Sequence, residues 1–172
     1  MIMNKSKTQK IVISALFAAL VCIATMIIRI PSPIGGYLNM GDCIILLAGW
    51  LLSPLCAAAS AAIGSAIADV LSGFAGYALA TFVIKALVAL TAYAGFKYIC
   101  KNKTNTILLV LVSVVAELVM IALYYIFEGL FLYGFEASLA NIIQNSIQAL
   151  ANVAAGVILL KIFSKGKMLK QR

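Results

Sequence analysis

TILLVLVSVVAELVMIALYYIF, residues 106–127, runs for 22 residues with a single charge, Glu117. A helix needs ~20 predominantly apolar residues to cross the hydrocarbon of a bilayer, and this stretch meets that length without a break. The rest of the chain agrees: 65% of its 172 residues are apolar, 10% are charged, and the mean hydropathy is +1.12. Soluble domains carry about 45–50% apolar and about 25% charged residues. A chain of this size has too little interior to hide so much apolar side chain, whereas lipid solvates the outer face of every helix. The sequence therefore describes an integral membrane protein.

Working outward, apolar stretches cover 11–28, 42–53, 55–72, 81–99, 106–127 and 139–163. The second is short, and reaches about sixteen residues only if Tyr37 to Leu52 is helical. Charge gives an independent check, because cytoplasmic loops retain Lys and Arg. Lys5, Lys7 and Lys10 precede the first span, Lys97, Lys101 and Lys103 separate the fourth from the fifth, and Lys161, Lys165, Lys167, Lys170 and Arg172 close the chain. Six spans put all three clusters on one side; five or seven would split them. Arg29 and Lys85 are the exceptions, each expected at the outer end of a span. The expected architecture is an all-α protein of six transmembrane helices with both termini cytoplasmic. It forms one domain over 1–172, with basic tails at 1–10 and 164–172 and an outer loop at 30–41. The N-terminal segment has the charge and hydropathy of a signal peptide, but no A-x-A site follows and five further spans do, so cleavage is not expected.

Composition also excludes whole classes. The net charge of +8 resides in terminal and loop clusters, without the stripe and interleaved aromatics of a nucleic-acid surface. There is no histidine, and Cys22, Cys43, Cys56 and Cys100 lack C-x-x-C spacing, so neither a zinc site nor a disulfide framework is expected. No G-x-x-x-x-G-K-[ST] phosphate loop occurs. No catalytic group, metal or cofactor is assigned.

Polar residues inside the spans carry the functional reading. Ser138, Asn141, Gln144, Asn145, Gln148 and Asn152 recur at three- and four-residue spacing, which places them on one face of the sixth helix. An unsatisfied amide is costly in hydrocarbon, so this face meets protein, water or ligand. The stripe fades after Asn152, as expected for a cavity open to the exterior and closed toward the cytoplasm; interhelical packing, worth ~0.6 kcal/mol per contact, is the alternative. Asp69 and Lys85 are candidates for a pair across spans three and four. Glu117, at mid-depth, reads either as functional or as a hydrogen-bonded structural carboxyl. Tyr124 and Tyr125 read as interfacial anchors or ligand-stacking rings. Ala15-x-x-x-Ala19 and the run AAASAAIGSAIAD, residues 57–69, are small-residue surfaces on which helices approach closely.

Six spans, Ala15-x-x-x-Ala19, and the motifs G-Y-x-N-x-G-D, L-x-S-P, G-S-A-x-A-D and T-F-x-x-K within residues 35–87 together resemble the substrate-binding S component of energy-coupling factor (ECF) vitamin transporters. The likeness is to the branch handling riboflavin, pyridoxine and the hydroxymethylpyrimidine precursor of thiamine. It implies a small protein of the bacterial plasma membrane that captures a vitamin outside the cell. Delivery then requires a transmembrane T subunit and two ATPases, and the protein topples in the bilayer to release its ligand. It also implies that Ala15 and Ala19 meet the T subunit and that residues 30–41 form a lid. GGYLNMGD, residues 35–42, would then be the gate. Gly35 and Gly36 supply freedom, Pro31 and Pro33 stiffen its start, and Tyr37, Asn39 and Asp42 face the ligand. Asp42 could equally cap the second helix. With these, the candidate ligand-contacting residues are Asp69, Lys85, Glu117, Tyr124, Asn141, Gln144, Asn145 and Gln148.

Two other classes stay open on sequence. A membrane-embedded lipid enzyme would use Asp42, Asp69 and Glu117, yet lacks acids at metal-binding spacing such as D-x-x-D. An independent ion-coupled small-solute carrier commonly shows internal repeats and broken helices, and neither is read here.

Overall fold

The structure, a computed structural model, describes residues 6–31 and 35–165. The expectations placed on Lys5, Pro33, Lys167, Lys170 and Arg172 lie outside the described residues. Six helices occur: α1 (Lys7–Ile27), α2 (Gly41–Leu51), α3 (Pro54–Leu71), α4 (Ala75–Ala94), α5 (Thr106–Phe131) and α6 (Phe135–Lys165). A π-helical turn, Gly95–Ile99, extends α4. Their ends follow local chemistry. Ser6 and Gln9 form a capping box on α1, Pro54 occupies the first turn of α3, and the Asn105 side chain accepts from the amides of Ile107 and Leu108.

Among the described residues, five helices are long and apolar enough to cross a membrane; α2 is not. Its eleven residues rise only ~16 Å, about half the hydrocarbon thickness. Nine of those eleven are buried, so α2 is a plug inside the bundle rather than a lipid-facing span. It packs against α1, α3, α4 and α6. Trp50 near its inner end is 2% exposed, with its ring 6.4 Å from that of Phe96. The second span expected over 42–53 is thus a buried half-helix, and the helical extension back to Tyr37 does not form. Residues 29–39 contain a β-ribbon instead, with β1 (Arg29–Pro31) antiparallel to β2 (Tyr37–Asn39) and Ile30 opposite Leu38. The outer loop is therefore a short flap.

Large apolar side chains on the spanning helices point outward, among them Ile11, Leu55, Leu79 and Ile107, each more than two-thirds exposed. Such a surface needs lipid around it. Inside, the small residues of α3 do what their size permits: α3 packs most extensively against α4 and α1. Gly64 sits against the Ala18 backbone carbonyl, and a Cβ there would also lie 2.9 Å from the Val21 Cβ. Overpacking of this kind costs ~1–3 kcal/mol or more. Gly64→Val is expected to lower the thermal midpoint in detergent by at least 5 °C and to broaden the gel-filtration peak, while Gly76→Val, whose Cβ would meet nothing within 4 Å, leaves both unchanged.

Candidate functional site

The site grows from the problem of starting α2 inside the bundle. The first amides of any helix lack partners within it. Here Asn39 Oδ1 accepts from Gly41 N at 3.0 Å, and Asn152 of α6 accepts from Cys43 N at 2.8 Å. Asn152 Nδ2 donates to the Asn39 carbonyl at 2.9 Å, and Gln148 Oε1 accepts from Asn39 N at the same distance. Two α6 side chains therefore clamp the junction between flap and plug. Asp42 does not cap: the residue before the helix is Met40, which makes no side-chain cap. Gly41 serves close approach rather than a turn, since a Cβ there would strike Thr25 Oγ1.

Asp42 is fully buried and holds Lys85 of α4 by both oxygens, at 2.7 and 2.8 Å, with Gln148 Nε2 donating to Oδ2 at 2.8 Å. This overturns the expected Asp69–Lys85 pair. The reason is that α4 begins at Ala75, so Lys85 lies mid-helix and 3% exposed rather than at an outer end, level with the start of the recessed α2. Asp69 turns outward and accepts from Tyr37 of β2 at 2.6 Å. Burial and the adjoining Asp69 carboxylate push the Tyr37 phenol up from its ordinary value, which keeps the hydroxyl a donor.

Above this layer lies a cavity of about 40 Å³ under the flap. Tyr37 and Asn39 border it from β2, Asp69 from α3, Tyr124 from α5, and Asn141, Gln144, Asn145 and Gln148 from α6. Eight of the expected ligand residues thus come together. Asp42, Lys85 and Glu117 do not line it: the first two form the polar layer beneath, and Glu117 is 1% exposed, interacts electrostatically with both, and has no hydrogen-bond partner among the described residues. The carboxamide stripe divides. Its inner members, Gln148 and Asn152, are occupied with the backbone and Asp42, while Asn141 and Gln144 reach the flap carbonyls of Gly35 and Ile30 at 3.4 and 3.2 Å. The stripe therefore packs against protein at one depth and borders the cavity at another.

Three lining residues escaped the sequence reading: Tyr77, Thr81 and Glu128. Tyr77, Thr81 and Lys85 recur every four residues on α4, and Glu128 follows Tyr124 by four on α5, so helical spacing from residues already chosen would have found them. Tyr77 donates to Glu128 at 3.3 Å, and Thr81 shares a 2.9 Å hydrogen bond with Tyr124. Lys85 Nζ stands 5.3 Å from the Tyr124 ring centroid. Tyr125 faces away and packs on Phe135. At the rim, Gly35 and Gly36 have φ of 142° and 75°, and a Gly35 Cβ would overlap the Tyr133 hydroxyl. Only glycine lets the ribbon tuck there.

The model of the family described as "ECF-type riboflavin transporter, S component" matches residues 5–165. The chain belongs to this family. As an S component it is a multi-pass membrane protein of a transport system, and its family and fold are not those of an enzyme. A solved structure described as "Structure and mechanism of the S component of a bacterial ECF transporter" superposes with a TM-score of 0.73 at 22% identity, over 97% of this chain and 100% of that one. A Pyrococcus woesei protein described as "Uncharacterized protein in gap 3'region" is 35% identical over 137 residues, 79% of this S component and 88% of its relative.

Breaking a buried ion pair by removing one partner costs ~3–5 kcal/mol, because the other charge is left unmatched. Lys85→Met is therefore expected to reduce the thermal midpoint sharply. The Asp42→Asn/Lys85→Met double variant is expected to melt above the Lys85→Met single, in one fluorescence melting series.

Proposed function

We propose that this S component captures a water-soluble vitamin or vitamin precursor at the extracellular face of the cell membrane and delivers it inside with an ATP-driven ECF module of a T subunit and two ATPases. The polar cavity beneath the β1–β2 flap carries this reading. Among the described residues, it brings tyrosines, carboxyls and carboxamides together beneath the flap. Tyr37, Asn39, Asp69, Tyr124, Asn141, Gln144, Asn145 and Gln148 contact the ligand. Asp42, Lys85 and Glu117 support the floor. A cavity near 150 Å³ is what a benzene-sized ligand occupies, so a heterocycle enters only as the flap lifts and the rim side chains part.

Orientation follows from charge. Lys7, Lys10, Lys97, Lys101, Lys103 and Lys161 lie at the helix ends remote from the flap, and the retention of Lys and Arg by cytoplasmic segments supports a topology with that end and both termini inside the cell. The whole chain acts as one six-helix unit with basic tails. The T subunit docks on the groove between α1 and α3, about 630 Å³ in volume, where Ala15 and Ala19 are exposed beside Leu55, Ala59 and Ile63. Small side chains there let a partner helix approach closely.

In liposomes, the isolated chain is expected to bind ligand without ATP and to accumulate none, with accumulation restored by adding the T subunit and ATPases plus ATP. Ala15→Trp/Ala19→Trp is expected to reduce accumulation at least tenfold and leave ligand affinity within twofold. Equal accumulation by the isolated chain in ATP-free vesicles would refute the assignment.

A further inference from the structure

Three acceptor atoms converge on the cavity. Asp69 Oδ2, Glu128 Oε2 and Gln144 Oε1 are buried and have no hydrogen-bond partner among the described residues. They come from three helices, α3, α5 and α6, and the two carboxyl side chains belong to residues only 5% and 3% exposed. A buried acceptor left unmatched costs ~1–3 kcal/mol, more when charged, so such a convergence suits a ligand that brings donors. The neighbouring donors serve the other carboxyl oxygens: Tyr37 donates to Asp69 Oδ1 and Tyr77 to Glu128 Oε1 or to the Tyr133 oxygen, while Thr81 and Asn141 also approach the Asp69 and Glu128 carboxyls.

Charge points the same way. The described residues contain four buried carboxyl side chains, Asp42, Asp69, Glu117 and Glu128, against one buried ammonium, Lys85, which is held on Asp42. Arg29, on the flap, donates to the Ser72 carbonyl at 3.3 Å and is exposed. No described cation lines the cavity.

We infer, building on the receptor reading above, that the ligand is a small heterocycle presenting amino, protonated ring-nitrogen or hydroxyl donors to Asp69, Glu128 and Gln144, and that the site rejects its phosphate ester. A phosphate group brings about −1.5 to −2 charges and acceptor oxygens, setting like charge against two carboxyls in a site of low dielectric. Asp69 and Glu128 are thus the specificity-determining pair, acting by attraction for donors and repulsion of anions.

The test uses the full chain in detergent and calorimetric titration with three matched pairs: pyridoxine and pyridoxine 5′-phosphate, hydroxymethylpyrimidine and its monophosphate, riboflavin and riboflavin 5′-phosphate. At least one parent compound is expected to bind, with its ester about 100-fold weaker. Asp69→Asn or Glu128→Gln is expected to narrow that ratio at least threefold, whereas Tyr125→Phe, outside the cavity and packed on Phe135, preserves it. Because the ratio is read within each variant, partial loss of folded protein cancels. An ester within tenfold of its parent, or a ratio unmoved in both carboxyl variants, overturns the inference and leaves the receptor reading standing. Failure of all six compounds to bind at 1 mM overturns both.

Discussion

A helix that starts within an apolar bundle has amides pointing where no water can reach them, and each must find an acceptor in the protein. The placement of α2 depends on meeting that requirement. Asn39 and Asn152 accept from its first turn, Gln148 fixes the strand that leads into it, and the bidentate Asp42–Lys85 pair ties it to α4. Everything above the plug takes its position from this layer. The flap emerges from the same residues that close the helix start, so the cavity floor and the cavity roof share one set of hydrogen bonds.

How far the sequence revealed this differs by feature. Apolar runs and basic clusters led to the helix count, because both are local properties of a stretch and its flanks. The depth of α2 was hidden, since an eleven-residue apolar segment looks alike as half a span or as an edge of a longer one. The partner of Lys85 was also hidden: Asp42 and Asp69 are both acidic, both precede it, and only the offset between α2 and α4 chooses between them. Spacing on α6 identified a polar face correctly. It could not say that Gln148 and Asn152 would turn to backbone while Asn141 and Gln144 border open space, for depth along a helix is not encoded in periodicity. Glu128 stands at the margin of an apolar run, where a carboxylate usually needs no explanation.

The outer surface divides the labour differently. Lipid-facing positions are filled with large aliphatic side chains, whereas the groove between α1 and α3 is lined largely by alanine, serine and cysteine, together with Ile11, Leu55, Ile63 and Ile67. The same smallness works twice: Gly64 brings α3 onto the α1 backbone, and the alanines flanking that contact leave a trough on the membrane side. Internal packing and external shape thus derive from one compositional choice.

Gln148, beside Asn152, couples two bodies. One end of its carboxamide holds the backbone of β2 and the other holds the carboxylate that grips Lys85. Displacing the ribbon therefore tugs on the ion pair, and hydrating the ion pair loosens the ribbon. The lifetime of the closed roof and the rigidity of the barrel of helices below it become a single mechanical quantity.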